Sequence, residues 1–416
     1  MFIHLRETIV NSIDNWFRIQ VFRRLDHVEE GQLLIHDKYG TYSFGNPSRF
    51  KAEITVSKLS FYKTLVLRGH LGATEAFAKG YWDSPDLTKV VQILLKNRHL
   101  VDGMETGIVR LLHSIRSLLN KFRKNSQKGS QRNIAFHYDL GDDLFQKFLD
   151  TTLSYSCAYF ESEAATLEEA SIAKYDRICK HLCIKPGDRV IEIGSGWGGF
   201  AIHAAKNYGC HVTTTTISKN QYAYVHDAIK AEGLEDEIKL LFCDYRNLEG
   251  KFDRLVSIEM IEAIGHSQFQ TFFNKCSSLL TEQGMAAIQT ITIQNRYYEK
   301  ARREIDFIKT YIFPGSCIPS ISALFDAMTH TDLRLINTMN IGPHYAKTLM
   351  LWRKEFVRNE EEISKLGYDK FFRRIWEMYF SYCEGGFLEG VLGDHQLILA
   401  KPLAALKIQN STDQVK

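Results

Sequence analysis

The sequence predicts an α/β protein in which a doubly wound, parallel sheet follows a smaller α+β unit, and three observations carry that prediction. Beyond residue 137, strand-like and helix-like runs alternate, as they do when each parallel strand is joined to the next through a crossover helix. At VIEIGSGWGGF a strand runs directly into a glycine-rich turn and a helix, the arrangement found where a ligand meets the carboxyl ends of a sheet. The length of 416 residues asks for two or three domains with ample material for a core.

Composition narrows the class. Apolar residues are 44% and charged residues 24% of the chain, which excludes collagen-like, low-complexity and disulfide-scaffold proteins. The 52 Lys and Arg against 49 Asp and Glu leave a net charge of +3, too small to argue for nucleic acid. Eight cysteines form no CxxC pair and follow no secretory segment, so free thiols in a reducing cytoplasm are expected. No run approaches the roughly 18 to 20 apolar residues of a membrane-spanning helix.

Taken in order, residues 1–105 read as the α+β unit. Leu5 to Arg24 has helical apolar spacing, and GQLLIHDKYGTYSFG holds two strand-like runs parted by Asp37, Lys38 and Gly40, a hairpin signal. KAEITVSK and TLVLRG read as further strands, and Ala73 to Lys96 as helix around a break at Gly80-Tyr81-Trp82. Residues 106–136 form a basic segment and linker. From Gly107 to His137 there is no acid, while Arg110, Arg116, Lys121, Arg123, Lys124, Lys128 and Arg132 are positive. Ile108, Leu111, Leu112, Ile115, Leu118, Leu119 and Phe122 make one apolar stripe. Two readings stand: a basic amphipathic helix on an anionic lipid surface, or a core-packed helix followed by a solvated linker.

Residues 137–402 are the second domain. RVIEIG, HVTTTTIS, IKLLFCDY, FDRLVSIEM and GMAAIQTITI read as strands, Gly199 to Asn207 and Lys219 to Ala231 as helices. Helical patterns at Tyr345 to Phe356 and Tyr368 to Cys383 and a closing HQLILAK suggest a helical cap and last strand, before a polar tail at 403–416.

The glycine turn holds Gly194, Ser195, Gly196, Trp197, Gly198 and Gly199, and its glycines alone also fit a dinucleotide fingerprint. Glu192, two residues before the first glycine, can face a cationic amine, and no acid follows at the distance a dinucleotide ribose needs. These features favour S-adenosyl-L-methionine over NAD. The next strand ends in Thr216, Ile217, Ser218, Lys219, Asn220 and Gln221, hydroxyls and amides able to bond a ribose. Asp244, followed by Tyr245, is either an acceptor for the adenine amine or a turn and cap residue. Cys179 and Cys183, on one helical face, read as core cysteines, and no metal site is expected.

Seven blocks in order, HYDLGDDLFQKFLDTTLSYSCAYF (137–160), VIEIGSGWGGF, TISKNQ, SIEMIEAIG (257–265), DFIKTYIFPGSCIPS (306–320), HYAKTLMLWRKEF (344–356) and YCEGGF (382–387), resemble those of the cyclopropane-fatty-acyl-phospholipid synthase family. The resemblance implies a Rossmann-like class I methyltransferase domain, S-adenosyl-L-methionine as donor and unsaturated phospholipid acyl chains as acceptor. It implies Tyr155 and Ser156 as further cofactor contacts. It gives Cys157, Glu262 and Tyr345 as holders of a bicarbonate ion acting as base, and Cys383 as a cysteine sometimes credited with catalysis. A lipid-engaging first domain, peripheral attachment to the cytoplasmic face of the cell membrane, and a homodimer are implied as well.

The residue types suit that chemistry. Methyl transfer to a cis double bond leaves a carbocation, which aromatic faces such as Tyr155, Tyr159, Tyr311, Phe313 or Tyr345 can protect, and a base must then remove a proton. An alkene attacking a sulfonium needs no thiol nucleophile, so Cys383 is the weakest of these assignments. The chain departs from the family where Glu262-Ala263-Ile264-Gly265 replaces Glu-His-Val-Gly and Gln289 replaces a histidine. Gln289 can bond an anion but carries no positive charge, which opens a second outcome, a methyl- or methylene-branched chain. A lipid-binding protein with a retained cofactor fold is the alternative outside enzymes, and a nucleic-acid methyltransferase is disfavoured because no Asn-Pro-Pro-Tyr clamp is present.

Overall fold

Alternation in the first strands folds as its period requires. β1 (Gln32–Asp37) and β2 (Gly40–Gly45) pair antiparallel with Asp37 opposite Gly40, and Leu33, Ile35 and Phe44 turn inward. The computed structural model describes residues 2–47, 50–102 and 140–405. The basic segment, the linker, the first residues of the 137–160 block and the tail beyond 405 lie outside the described residues.

The described residues form two compact units that do not follow chain order. The first takes residues up to 102, then 304–312 and 356–390. Its helix α1 (Phe2–Leu25) precedes the hairpin, and the sheet runs β2-β1-β3-β4 with β3 (Lys51–Val56) parallel to β1 and β4 (Trp82–Asp83) antiparallel to β3. TLVLRG is not a strand: it lies in α2 (Ser60–Ala78), which kinks at Gly69. Residues 64–70 are evenly half-buried without alternation, and a short apolar run does not by itself separate strand from helix. Asp86 caps α3 (Leu87–Lys96) by accepting from Lys89 N at 3.0 Å.

The second unit takes 140–303, 313–355 and the residues from 391. Its helices and strands alternate as α4 (Leu167–His181), β5 (Arg189–Ile193), α5 (Gly199–Tyr208), β6 (His211–Thr216), α6 (Lys219–Glu232), β7 (Ile238–Phe242), β8 (Phe252–Ile258), α7 (Phe269–Leu279) and β9 (Leu280–Ile293). After α8 (Asn295–Arg303) come α9 (Ile321–Met328), β10 (Arg334–Asn340), α10 (Gly342–Arg358), α11 (Lys370–Leu388, in the first unit) and β11 (Leu392–Ala400). The seven strands lie in the order β10-β11-β9-β8-β5-β6-β7. From β9 to β7 they are parallel, but β11 runs antiparallel between β9 and β10, so the closing HQLILAK makes the sheet mixed. β10 escapes sequence reading because it is a largely exposed edge with little apolar alternation.

Both faces of this sheet are covered. Ile191, Ile193 and Leu255 pack with Phe269, Phe272 and Phe273 of α7, whereas Val190, Val212 and Val256 pack with Phe200 and Ala204 of α5 and Ile178 of α4. A strand buried on both faces reads as a continuous apolar run. In RVIEI that run has one exception, Glu192, 2% exposed. Cys179 is buried in the core, but α4 ends at His181 and Cys183 is exposed at φ 50°, so the two share no helical face.

Candidate active site

At the carboxyl end of β5 the chain turns through residues with φ of 96°, 50° and 91° at Gly194, Gly196 and Gly198, a left-handed region that side chains disfavour. The turn is held by Gly194 N and Ser195 N donating to Thr215 O. Gly199 has a second constraint: a Cβ there would lie 2.9 Å from Thr152 O and 2.6 Å from Tyr175 Oη. Absence of that carbon lets the 152–156 segment lie against the start of α5. A cavity opens here, lined by Tyr155, Ser156, Glu192, Gly194, Ser195, Gly196, Trp197, Gly199, Thr216, Ile217, Gln221, Asp244 and Tyr245.

The cavity suits a ligand with an amine, a ribose and an adenine. Glu192 accepts from Thr214 Oγ1 at 2.5 Å and has no cation beside it among the described residues; burial pushes its pKa up to about 8. A buried acid without a cation is a place for a ligand's ammonium. Thr216 Oγ1 and Gln221 Oε1 lie 2.8 Å apart on the wall. Asp244 caps a short 3₁₀ turn by accepting from Arg246 N and pairs with the Arg246 guanidinium, 2.6 Å away, so of the two roles its sequence left open the turn and cap role is the one observed, and the carboxylate also lines the cavity. Of the other expected contacts, Gly198 carries the turn, Ser218 caps α6 by accepting from Gln221 N, and Asn220 stands in the first turn of α6; none of the three lines the cavity.

Beside the glycine turn, Tyr155 stacks on Trp352 with centroids 5.2 Å apart and on Phe313 at 6.4 Å, while Tyr345 meets Trp352 edge-on at 6.0 Å. Trp352 lies two turns after Tyr345 on α10, a spacing of seven that puts both on one face. Two expected aromatics stand elsewhere. Tyr159 packs on His344 beneath the Arg177 guanidinium, and Tyr311 belongs to the first unit, where its hydroxyl donates to Glu75 at 3.0 Å.

Of the residues expected to hold an ion, Cys157, Tyr345 and Gln289 converge on a side chain that sequence reasoning missed. Glu259, on the cavity wall, accepts from Cys157 N at 2.8 Å, Tyr345 Oη at 2.6 Å and Gln289 Nε2 at 2.9 Å. Its backbone sits at φ 49°, unusual for a residue other than glycine. Burial raises the Glu259 pKa, partly opposed by the Tyr345 and Cys157 bonds and the Lys174 ammonium. Lys174 is fully buried and donates to Ser154 Oγ and Ser156 Oγ at 2.5 and 2.6 Å. Gln289 Nε2 also donates to Asp394 Oδ2 at 2.9 Å. SIEMIEAIG carries two acids three residues apart, and that doubling was the available signal.

Glu262, the acid singled out from sequence, points away from this cluster of donors. Its Oε1 accepts from Ile291 N at 2.5 Å and Thr290 Oγ1 at 2.9 Å, and its Oε2 has no partner among the described residues. Burial and the neighbouring Glu259 push its pKa up to about 8. The Cys157 thiol is buried and pushed well up, so its amide rather than its sulfur serves the site. Cys383 stands on α11 in the first unit, its thiol also pushed up by burial.

Residues 125–397 match the profile of the mycolic acid cyclopropane synthetase family. The chain is 36% identical over 345 residues to the tuberculostearic acid methyltransferase UfaA1 of Mycobacterium tuberculosis, covering 80% of this chain and 79% of that one. It is 34% identical over 344 residues to the cyclopropane-fatty-acyl-phospholipid synthase of Escherichia coli, covering 81% and 84%. The crystal structure of mycolic acid cyclopropane synthase CmaA1 complexed with SAH and CTAB is similar at a TM-score of 0.61 and 31% identity, over 65% of this chain and 98% of that one.

Proposed function

Since the chain belongs to the mycolic acid cyclopropane synthetase family, within the class I S-adenosylmethionine-dependent methyltransferases, we propose that it adds a one-carbon unit to the cis double bond of unsaturated phospholipid acyl chains, with the Glu259 carboxylate as base. The observation that carries this reading is the trio of donors, Cys157 N–H, Tyr345 O–H and Gln289 N–H, ending on Glu259. With those donors taken by a side chain, a bicarbonate ion does not fit the same place.

The donor, when bound, supplies an electrophilic methyl group on a sulfonium. Glu192 holds its ammonium, the glycine turn lets it approach the backbone, and Thr216, Gln221 and Asp244 bond its ribose and adenine. Positioning supplies much of the acceleration, because an isolated double bond is a poor nucleophile. The faces of Tyr155, Trp352 and Tyr345 stabilise the cation left on the acyl chain. Glu259 then takes a proton, and the released electron pair closes a cyclopropane ring.

A second reading, a methyl- or methylene-branched product, draws support from the identity with a tuberculostearic acid methyltransferase. The acid-free basic segment at 107–137 supports work at an anionic membrane surface. Purified protein, S-adenosylmethionine and monounsaturated phospholipid vesicles, with product read by gas chromatography–mass spectrometry and proton NMR, test the proposal. High-field cyclopropane protons that vanish in Glu259→Gln support the first reading and olefinic methylene protons the second. Full product from Glu259→Gln overturns Glu259 as base.

A further inference from the structure

Among the described residues the buried cation acting on Glu259 and Asp394 is the ammonium of Lys174, on which Asp150 acts as well, and Glu262 adds its carboxyl beside Glu259 and Asp394. One ammonium balances one carboxylate, and a second uncompensated buried charge would be costly. Donor counts decide where the charge rests. Glu259 receives three hydrogen bonds. Asp394 receives one side-chain donor, Gln289 Nε2, and its buried Oδ1 has no partner among the described residues. A buried orphan oxygen beside a carboxylate is explained if it carries a proton.

We propose that Asp394 is protonated at rest and donates its proton to the Glu259 carboxylate, so that the two side chains share one proton and Asp394 tunes the base without touching substrate. The inference rests on Glu259 being the base. When the acyl cation loses its proton, the C–H bond breaks, its electron pair stays on carbon, and the proton goes to Glu259. The pair then holds two protons and returns one to water as product leaves. The neighbouring groups are consistent: Glu259 and Glu262 push the Asp394 pKa up, while the side-chain bond to Asp394 and the Lys174 ammonium pull that of Glu259 down against its burial. Tyr345 and Cys157 complete the surroundings from α10 and the 157 segment.

Asp394 is therefore a positioning residue whose signature is a pH profile. In the full chain on monounsaturated phospholipid vesicles, Asp394→Leu removes the donor and moves the acid limb of the rate up by about one pH unit, roughly tenfold in rate on that limb. Asp394→Asn, shaped like the protonated acid, keeps the wild-type limb, because Gln289 orients its amide to donate to Glu259. Should Asp394→Leu fail to fold, an infrared difference between wild type and Asp394→Asn at neutral pH decides: a protonated-carboxyl band supports the proposal, and a carboxylate band overturns it. A limb unmoved in Asp394→Leu, or moved equally in both variants, also overturns it. Full product from Glu259→Gln would remove the base itself, whereas an inactive Glu259→Gln with an unmoved Asp394→Leu limb removes this inference alone.

Discussion

Arg177 Nε donates to Gln396 Oε1 at 3.0 Å, and this contact decides which end of Gln289 meets Glu259. A guanidinium only donates, so Gln396 must present its oxygen to Arg177 and its nitrogen onward. Gln396 Nε2 donates to Gln289 Oε1 at 3.1 Å, which leaves Gln289 Nε2 for Glu259 and Asp394. A neutral amide thereby takes a fixed orientation at a place where the family commonly has histidine.

Gln396→Leu breaks that relay and frees Gln289 to turn its oxygen toward two carboxyls. A hydrogen bond to a charged group contributes about 1.5–3 kcal/mol, so kcat should fall roughly 10- to 100-fold. Gln396 is not on the cavity wall, and S-adenosylmethionine affinity by calorimetry should stay within about twofold.

Glu259→Gly should be inactive and less stable. Glycine accepts φ 49° without strain, a relief on the order of 1 kcal/mol, but three donors lose their carboxylate partner at about 1–3 kcal/mol each; thermal unfolding should shift downward by a few degrees. The vacated donors Cys157 N, Tyr345 Oη and Gln289 Nε2 should then accept a small anion, so added bicarbonate or formate should restore activity at least tenfold. Wild type should turn over equally in bicarbonate-free buffer.

Binding of the cofactor should release protons. Glu192 is pushed up to about 8 by burial, and a ligand ammonium favours its ionised form. Near pH 7 calorimetry in buffers of differing ionisation enthalpy should show close to one proton released, with affinity tightening as pH rises toward 8. Glu192→Gln should abolish the release and weaken binding.

Stability of the unliganded protein should fall as pH rises. For Glu192 and Glu262 the folded pKa, about 8 in each, lies above the unfolded value of about 4.3, so the folded state holds more protons within that window. Stability lost between about pH 4.5 and 8 should flatten in Glu192→Gln and Glu262→Gln, as measured by urea unfolding at several pH values.

Cys383→Ala should keep more than about half of the activity. Burial disfavours its thiolate, and the chemistry asks for no thiol nucleophile. An assay on vesicles, with slow labelling of Cys383 by an alkylating agent, checks both points.

Much of the fold and the cofactor cavity was legible in the chain because the causes are local. Continuous apolar runs broken by Glu192, glycines at a turn that needs left-handed backbone, and a helix that starts after Ser218 each depend on a few neighbouring residues. The strand expected at TLVLRG and the unrecognised β10 show the limit of local periodicity, since apolar alternation was misleading in one and weak in the other.

Sequence by itself determined the glycine turn, the acid before it and the set of donors. Tertiary structure alone decided which acid those donors serve. Glu259 meets an amide 102 residues earlier and a hydroxyl 86 residues later. Asp394 and Gln396 reach the site because β11 inserts antiparallel beside β9, placing Gln396 opposite Gln289. Nothing in SIEMIEAIG distinguishes Glu259 from Glu262; the choice follows from the left-handed backbone at Glu259 and the hydrogen-bond donors that long-range packing brings to it.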